Sequence, residues 1–428
     1  MFRVSHFRRL LADAERGGAM PLARAARPAG PVVIWNLIRR CNLTCTHCYA
    51  LSADHDYEGE LSTGEVFTAM DDLKAFGVPV LILSGGEPLL RRDLFGIAAR
   101  AKALRFYVGL STNGTLIDSR MADRIAAARF DYVGISLDGL RATHDRFRRL
   151  DGAFDRSLHG VRLLRARGVK VGLRFTMTAQ NANDLPALLQ LMRDEQVDKF
   201  YFSHLNYAGR GNIHRAKDAQ FAATRDALDL LFERAWCAAR DGQPHAPSGG
   251  RAADARGPSS EEYVTGNNDA DGPYLLQWLQ KWHPDLHARW HSALRAHLVA
   301  WGGNASGVHI ANIDNLGQVH PDTMWWHHNL GSVRERPFSA IWSDASDPLM
   351  AGLKSRPRPV GGRCASCLHL DICGGNTRVR AHQVTGDAWA EDPGCYLDDR
   401  EIGVAGGAAR VAVTPFQGKR HIPIAIEP

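Results

Sequence analysis

The chain has 428 residues, of which 45% are hydrophobic, so it can bury a large core and form two or more domains. Its formal net charge of +6 suits anionic ligands but lacks the clustered basic footprint of a nucleic-acid-binding protein. The basic N-terminus has no apolar stretch typical of a secretory signal, and no run reaches the length of a transmembrane helix. We therefore expect a cytoplasmic enzyme with no nucleic-acid partner and no membrane association.

A parallel sheet is predicted from residue 31 onward, after an N-terminal extension (1–30) with one short helix and no assigned chemistry. Apolar runs of strand length alternate there with amphipathic helical segments. The six predicted strands are 32–38, 78–84, 106–112, 131–137, 170–178 and 199–205. Crossover helices must cover both faces of such a sheet, which predicts an α/β fold over 31–217. A full eight-unit barrel is the alternative, although only six units are found.

Three cysteines follow the first predicted strand in a C-x3-C-x2-C pattern, namely Cys41, Cys45 and Cys48. Three thiolates on one short loop can hold three irons of a cubane cluster, while the fourth iron stays open to an exogenous ligand. A structural thiol cluster is one alternative. A zinc site with His47 as fourth ligand is another.

Polar turns follow the next three predicted strands. Gly85-Gly86-Glu87-Pro88 combines paired glycines, which allow a ligand to approach the backbone closely, with a carboxylate that can receive an ammonium group. Segments 111–114 and 136–139 are glycine-terminated polar turns, which ordinary βα loops also contain.

The segments CNLTCTHCY and GGEP together resemble the radical S-adenosylmethionine (SAM) enzymes. The resemblance implies a partial (β/α)6 TIM-like barrel and a cluster whose open iron binds SAM. One electron from that cluster then yields a 5′-deoxyadenosyl radical, so a donor such as flavodoxin or ferredoxin is also implied. Chemistry is expected at the C-terminal ends of the strands. The SAM-binding positions that the resemblance implies are Gly85, Gly86, Glu87, Thr112, Asn113, Ser136 and Arg148. For Arg148, a solvated helix arginine is the alternative.

Residues 218–306 are predicted as a helical linker region in which the α/β alternation stops. Segment 242–260 has the composition of a flexible insertion, and 265–272 is predicted to be too polar for a core. We interpret Cys237 as a packed thiol. The Trp- and His-rich segment near 278–301 fits either ordinary amphipathic packing or the wall of a pocket for a flat ligand.

A second cysteine group lies in residues 307–402, after a predicted hairpin turning near 315–317. Its members are Cys364, Cys367, Cys373 and Cys395. Spacing alone permits zinc or a second iron–sulfur cluster. The group resembles the SPASM or twitch module of radical SAM enzymes, which implies an auxiliary [4Fe–4S] cluster.

The two-cluster form of that module has further cysteines where this chain has Asp322 and Thr377. The resemblance therefore implies one auxiliary cluster and two [4Fe–4S] clusters in all. The tail, 403–428, carries no assigned function.

Segments outside these motifs, including SHLNYAGRGN, TGNNDADG and HPDTMWW, resemble the NirJ family of haem d1 biosynthesis. This resemblance implies modification of propionate side chains of 12,18-didecarboxysirohaem, an anionic tetrapyrrole. Candidate cationic partners for its carboxylates are Arg174, His204, Arg210 and His320, each with an alternative role as a surface or packing residue. The alternatives are oxidative decarboxylation of coprohaem, as in haem b synthases, and a non-catalytic iron–sulfur electron carrier.

Overall fold

The computed structural model describes residues 1–23, 30–240, 261–404 and 410–416. The predicted flexible insertion, 242–260, lies outside the described residues. Within them a single sheet has nine strands in the order β7-β6-β5-β4-β3-β2-β1-β8-β9, all parallel except the antiparallel pair β8–β9. The strands are β1 (Val32–Asn36), β2 (Val80–Ser84), β3 (Tyr107–Thr112), β4 (Tyr132–Ser136), β5 (Val171–Met177), β6 (Lys199–His204), β7 (Glu262–Gly266), β8 (Ile310–Ile313) and β9 (Val319–His320).

The six predicted strands are confirmed as β1 to β6, and the crossover helices between them cover the outer face of the sheet. The helices of the described ranges are α1 (Val4–Gly17), α2 (Thr63–Ala75), α3 (Leu94–Ala103), α4 (Ser119–Ala128), α5 (Arg141–Arg148), α6 (Ala153–Ala166), α7 (Leu185–Asp194), α8 (Gly209–Ile213), α9 (Phe221–Arg240), α10 (Asp271–Trp282), α11 (Pro284–Trp301), α12 (Phe338–Ser343), α13 (Pro348–Lys354), α14 (Leu370–Cys373) and α15 (Arg378–Thr385). Helix α2 begins with a capping box between Ser62 and Glu65.

The two faces of the sheet differ in burial. Side chains alternate along each strand, so the residues that point outward, such as Leu81, Val108 and Phe200, are fully buried beneath the helices. The residues that point to the inner, concave face stay partly exposed, as at Tyr132 and Arg174. The inner face is therefore less covered than the outer one, and the space beside it is called the chamber below.

Two strands extend the sheet beyond the six predicted units. Strand β7 pairs with β6, and β8, the first arm of the predicted hairpin, pairs with β1. The hairpin itself is confirmed, because Gly317 N–H bonds to Asp314 O at 3.1 Å in its turn.

The prediction that residues 265–272 are too polar for a core is wrong. Asp271 is fully buried, and its carboxylate accepts hydrogen bonds from the hydroxyls of Thr265 and Tyr396. Asn268 donates to Gly394 O at 2.9 Å, so this segment also joins the barrel to the C-terminal module. Polar residues are buried here because each finds a partner in another element.

The Trp- and His-rich segment forms two helices, α10 and α11, that meet at His283. Leu276 and Trp278 of α10 are buried, and Trp278 packs edge-on against Phe232 with 5.8 Å between ring centroids. Of the two alternatives from the sequence, the structure shows ordinary packing for this helix.

Buried arginines fix the C-terminal module. Arg380 is paired with Asp392 at 2.7 Å, with side chains 1% and 0% exposed. Arg358 donates to Asn304 Oδ1 at 2.8 Å and to the carbonyl oxygens of Leu353 and Gly374 at 3.1 Å each. These bonds connect segments that are distant in sequence and set the positions of the loops that carry the second cysteine group.

The N-terminal segment covers the edge of the sheet. Phe2 and Thr265 exchange two backbone hydrogen bonds of 2.7 and 2.8 Å, so residue 2 pairs with β7. The Phe2 ring packs against Phe7 and Trp301, with centroid distances of 4.9 and 5.0 Å. Phe2 and Phe7 of the extension are therefore part of the core.

Because Phe2 is 1% exposed, we expect Phe2→Ala to leave a cavity and to lower the free energy of unfolding by about 3 kcal/mol or more. The urea midpoint of the purified protein measures this. Phe221→Ala, at a site 38% exposed, is the matched control and should shift the midpoint much less. Equal shifts in the two variants would contradict the structural role of Phe2.

Candidate active site

The first cysteine group lies on the loop that follows β1. Cys41 and Cys45 are each 6% exposed and pack with Leu43 and Cys48 in one small cluster. Leu43 N–H points to Cys41 Sγ at 3.4 Å, and Arg148 Nη1 points to Cys45 Sγ at 3.5 Å. Burial raises the pKa of both thiols. The donors that face the sulfurs suit thiolates that ligate a cluster.

His47, the alternative fourth zinc ligand, is engaged elsewhere. Its ring packs on Phe147 with 4.5 Å between centroids, and its Nε2 lies 3.8 Å from Asp138 Oδ2. Burial lowers the pKa of His47 to about 4. Among the residues that the structure describes, no three His, Cys, Asp or Glu side chains converge on a position for a single metal ion.

Gly85 and Gly86 bring the end of β2 against the cysteine loop. A Cβ on Gly85 would lie 2.3 Å from Ile38 O, and one on Gly86 would lie 2.3 Å from the carbonyl oxygens of Arg39 and Arg40. Gly86 N–H bonds to Ile38 O at 2.6 Å. The close backbone approach expected here is thus made to the protein's own loop, which explains why both positions need glycine.

Glu87 is fully buried, and both of its carboxylate oxygens accept hydrogen bonds. Thr112 Oγ1 and Asn113 N–H donate at 2.7 and 2.8 Å, and Leu89 N–H donates at 3.1 Å. Burial raises the pKa of Glu87 to about 7, against the effect of these bonds. The carboxylate therefore ties β2 to β3, and its predicted role toward an ammonium group stays a prediction.

Arg148 forms a buried ion pair with Asp138, which sequence reasoning missed as a partner. Arg148 is 7% exposed, so the alternative of a solvated helix arginine is wrong. Asp138 also accepts Thr176 N–H at 2.7 Å. Burial alone would raise the pKa of Asp138, but Arg148 and His47 hold it below its ordinary value. The pair places a guanidinium beside Cys45. In the sequence, the indication that Asp138 belongs to the site was its position in the polar turn that follows β4.

The remaining predicted SAM positions lie at neighbouring strand ends. Asn113 Nδ2 donates to Asn42 Oδ1 at 2.9 Å and faces Cys41 Sγ at 3.9 Å. Thr112 is buried against Glu87, and Ser136 lies half-buried beside Arg174 in the register of β4 and β5. Asn113 thus contacts the cysteine loop, and Thr112 and Ser136 lie at the ends of β3 and β4.

Tyr49, directly after the last cysteine, fixes the end of that loop. Its hydroxyl oxygen accepts Asn36 Nδ2 at 2.8 Å, and Asn312 Nδ2 donates to Asn36 Oδ1 at 2.6 Å. These bonds join the loop to β1 and β8. Sequence reasoning noted the aromatic residue but had no signal for its two asparagine neighbours.

Three of the four predicted substrate-binding residues are engaged within the protein. His204 Nε2 lies 3.1 Å from Asp271, and His320 Nε2 lies 3.3 Å from Asp314. Arg210 donates to Cys45 O at 2.7 Å and to Ser52 O at 2.9 Å, which supports the cysteine loop from behind. Arg174 contacts the Ser111 hydroxyl and the Tyr201 ring, and its guanidinium has no carboxylate or backbone carbonyl partner among the described residues.

The second cysteine group lines one cavity at the junction of α10, α14 and the following loops. Cys364, Cys367, Cys373 and Cys395 all face it. His369 N–H points to Cys367 Sγ at 3.3 Å, and burial raises the pKa of Cys395 to about 12. Four thiols around one cavity fit a cluster that is fully ligated by cysteine.

Thr377 and Asp322, which stand where the two-cluster module has cysteines, form hydrogen bonds within the protein. Thr377 N–H donates to Asp392 Oδ2 at 3.0 Å, and its hydroxyl donates to Asn267 O at 2.9 Å. Asp322 accepts the Ser306 hydroxyl and Met324 N–H, the latter at 2.7 Å. Burial raises the pKa of Asp322.

Comparisons with known proteins agree with this geometry. The family model of the Radical SAM superfamily matches residues 35–192. The pre-heme d1 synthase of Dinoroseobacter shibae is 52% identical to this chain over 99% of both sequences. The chain belongs to the radical SAM superfamily. A member of this superfamily uses SAM and a [4Fe–4S] cluster, and the buried thiols of the first cysteine group suit that cofactor.

Other radical SAM proteins are similar over most of their length. The Fe-coproporphyrin III synthase of Methanosarcina barkeri is 44% identical over 89% of this chain and 92% of its own. Among solved structures, SuiB of Streptococcus suis bound to S-adenosylmethionine superposes with a TM-score of 0.63, at 16% identity over 91% of this chain and 81% of its own. The latter likeness concerns the fold alone. No described helix is both long and apolar enough to cross a membrane.

Because a Cβ on Gly86 would collide with two carbonyl oxygens, we expect Gly86→Ala to displace the cysteine loop and to lower 5′-deoxyadenosine formation by about 10- to 100-fold. Gly96→Ala in α3, where a Cβ meets nothing within 4 Å, is the matched control. Product quantification after anaerobic reduction with dithionite gives the result. Full activity in Gly86→Ala would contradict the packing described for this loop.

Proposed function

We propose that this radical SAM enzyme acts in haem d1 biosynthesis and modifies propionate side chains of 12,18-didecarboxysirohaem. The 52% identity to a pre-heme d1 synthase over 99% of both chains carries the proposal. A propionate C–H bond is too unreactive for acid–base chemistry, which is consistent with the use of a radical cofactor. The open chamber inside the sheet offers the substrate a place beside the cysteine loop.

The first cysteine group, Cys41, Cys45 and Cys48, would hold the [4Fe–4S] cluster that binds SAM. When bound, the cluster and SAM supply the 5′-deoxyadenosyl radical that takes a hydrogen atom from the substrate. The burial of Cys41 and Cys45 keeps water from that region.

The protein's own groups would orient SAM in this site. Arg148 presents a guanidinium beside Cys45 Sγ at 3.5 Å, and Asp138 holds it there, so a carboxylate of the ligand can bind in front of it. The backbone of Gly85 and Gly86 and the side chains of Asn113 and Ser136 would contact the rest of the molecule. Glu87 and Thr112 would position these loops through their mutual hydrogen bond of 2.7 Å.

The second group, Cys364, Cys367, Cys373 and Cys395, would hold one auxiliary [4Fe–4S] cluster. Its four thiols complete the ligand set, which suits electron transfer more than substrate binding. The cluster would accept an electron from the substrate radical. A flavodoxin or ferredoxin would supply electrons to the first cluster.

The second candidate is decarboxylation of coprohaem, as in haem b synthases. One observation favours keeping it: the 28% identity to the AdoMet-dependent heme synthase of Methanosarcina barkeri over 85% of this chain. A non-catalytic electron carrier would not need Arg148 and the glycine pair beside its cluster.

We expect Cys41→Ala, Cys45→Ala and Cys48→Ala each to abolish 5′-deoxyadenosine formation and to retain the C-terminal cluster. Cys395→Ala should lose the C-terminal cluster and retain the first one. Each of the four variants therefore loses one cluster, and its iron content should fall from about eight to about four per chain. Cys237→Ala, outside both groups, is the matched control and should keep both clusters. Iron analysis and electron paramagnetic resonance check this, and about eight irons in all four variants would contradict the ligand assignment.

Incubation with SAM and dithionite under anaerobic conditions tests the substrate. We expect 12,18-didecarboxysirohaem to be converted with stoichiometric 5′-deoxyadenosine, and coprohaem to remain unchanged, as read by mass spectrometry. Turnover of coprohaem alone would replace the first candidate with the second.

A further inference from the structure

The inner face of the sheet carries a cation, Arg174, that no carboxylate of the described residues neutralises. Arg174 points to this face from the middle of β5 and is partly exposed to the chamber. Among the residues that the structure describes, no Asp or Glu oxygen lies within 4.0 Å of its guanidinium. Arg148 and Arg380 differ in this respect, because each pairs with a carboxylate, Asp138 and Asp392 respectively. A guanidinium with no carboxylate partner among the described residues can bind an anionic ligand.

The surroundings of Arg174 hold its guanidinium in one place. Nη1 donates to Ser111 Oγ at 3.1 Å, and the guanidinium lies over the Tyr201 ring, 5.0 Å from its centroid. Stacking on an aromatic ring orients the planar group while its other N–H donors stay available.

A glycine on the neighbouring strand leaves room for this arginine. A Cβ on Gly134 would lie 2.9 Å from Arg174 Cδ, so any larger residue there would push the side chain away. The site is thus formed by three strands, β3 (Ser111), β4 (Gly134) and β6 (Tyr201), around a cation on β5. These neighbours hold the guanidinium in place without neutralising its charge.

The position of Arg174 relates it to the reacting centre. Arg174 pairs with Ser136 in the register of β4 and β5, and Ser136 lies two residues before Asp138, which binds Arg148. Arg174 therefore lies close to the strand ends that carry the predicted SAM-binding residues. Arg148, by contrast, contacts Cys45 itself and already supplies the cation that a SAM carboxylate needs.

We propose that Arg174 is the specificity-determining residue that binds a carboxylate of the tetrapyrrole substrate in the chamber, an inference that rests on the proposed function. A bidentate bond from its planar guanidinium would fix which side chain of the macrocycle faces the cysteine loop. His204, Arg210 and His320 are not part of this anion site, because each is engaged by protein groups.

The test compares two ligands in reconstituted full-length enzyme: 12,18-didecarboxysirohaem and its methyl esters, which keep the macrocycle but lose the carboxylate charges. We expect the wild type to bind the acid about 10- to 100-fold more tightly than the esters. R174Q should bind the acid about 10- to 100-fold more weakly and lose the preference, while R174K keeps part of it. R156Q, at an exposed position of α6, is the matched control and should behave as the wild type.

The carboxylate that binds Arg174 could belong to SAM or to the tetrapyrrole. Formation of 5′-deoxyadenosine in the absence of tetrapyrrole distinguishes the two. We expect R174Q to retain this activity within about twofold, since the inference gives it no role toward SAM. Loss of the activity in R174Q with both clusters intact would assign Arg174 to SAM and overturn the inference, as would unchanged affinity for the acid. If R174Q fails to load its clusters, R174K provides the test. A lysine cannot form the bidentate bond, so wild-type affinity for the acid and a wild-type preference for the acid over the esters in R174K would also overturn the inference. A wild type that binds neither ligand would overturn the proposed function itself.

Discussion

The contact between two backbone segments, Gly85–Gly86 and residues 38–40, determines the geometry of the whole active site. The cysteine loop has little regular structure of its own, and the glycine pair gives it a surface to rest on at hydrogen-bond distance. Glu87 then transmits that position to β3 through Thr112 and Asn113. These constraints are backbone contacts and buried hydrogen bonds within the protein, and a site that the protein itself preorganises reduces the cost of binding.

The buried arginines described above are bound mostly by carboxylates and carbonyl oxygens of the protein itself. The arginines of the C-terminal module use their donors on carbonyl oxygens and on Asp392, so they stabilise chain connections and offer little to a ligand. Arg148 is similarly held by Asp138, although it keeps one donor toward Cys45. Against that background, a chamber-facing cation with one hydroxyl and one ring as its neighbours is an exception, and exceptions of this kind identify functional positions.

The sequence predicted what depends on local pattern and missed what depends on distant pairing. Strands β1 to β6 and both cysteine groups were found because apolar alternation and ligand spacing are local signals. Strand β7 was missed because its neighbours Asn268, Asp269 and Asp271 are polar, and their partners lie on other elements. The same limit explains the substrate candidates: residue type suggested His204 and Arg210, but only the fold shows that Asp271 and the carbonyl of Cys45 already engage them.

The pairing of β8 with β1 has a consequence for biosynthesis. Asn312 bonds to Ile34 O across 278 residues of sequence, so on the ribosome β1 emerges long before the neighbour that covers one of its sides. Until then, the nascent sheet exposes an unsatisfied row of N–H and C=O groups beside the cysteine loop, which is an opportunity for misassociation. Final closure of the sheet is therefore a late event in the folding of this chain, and one edge of β1 stays unpaired until β8 has emerged.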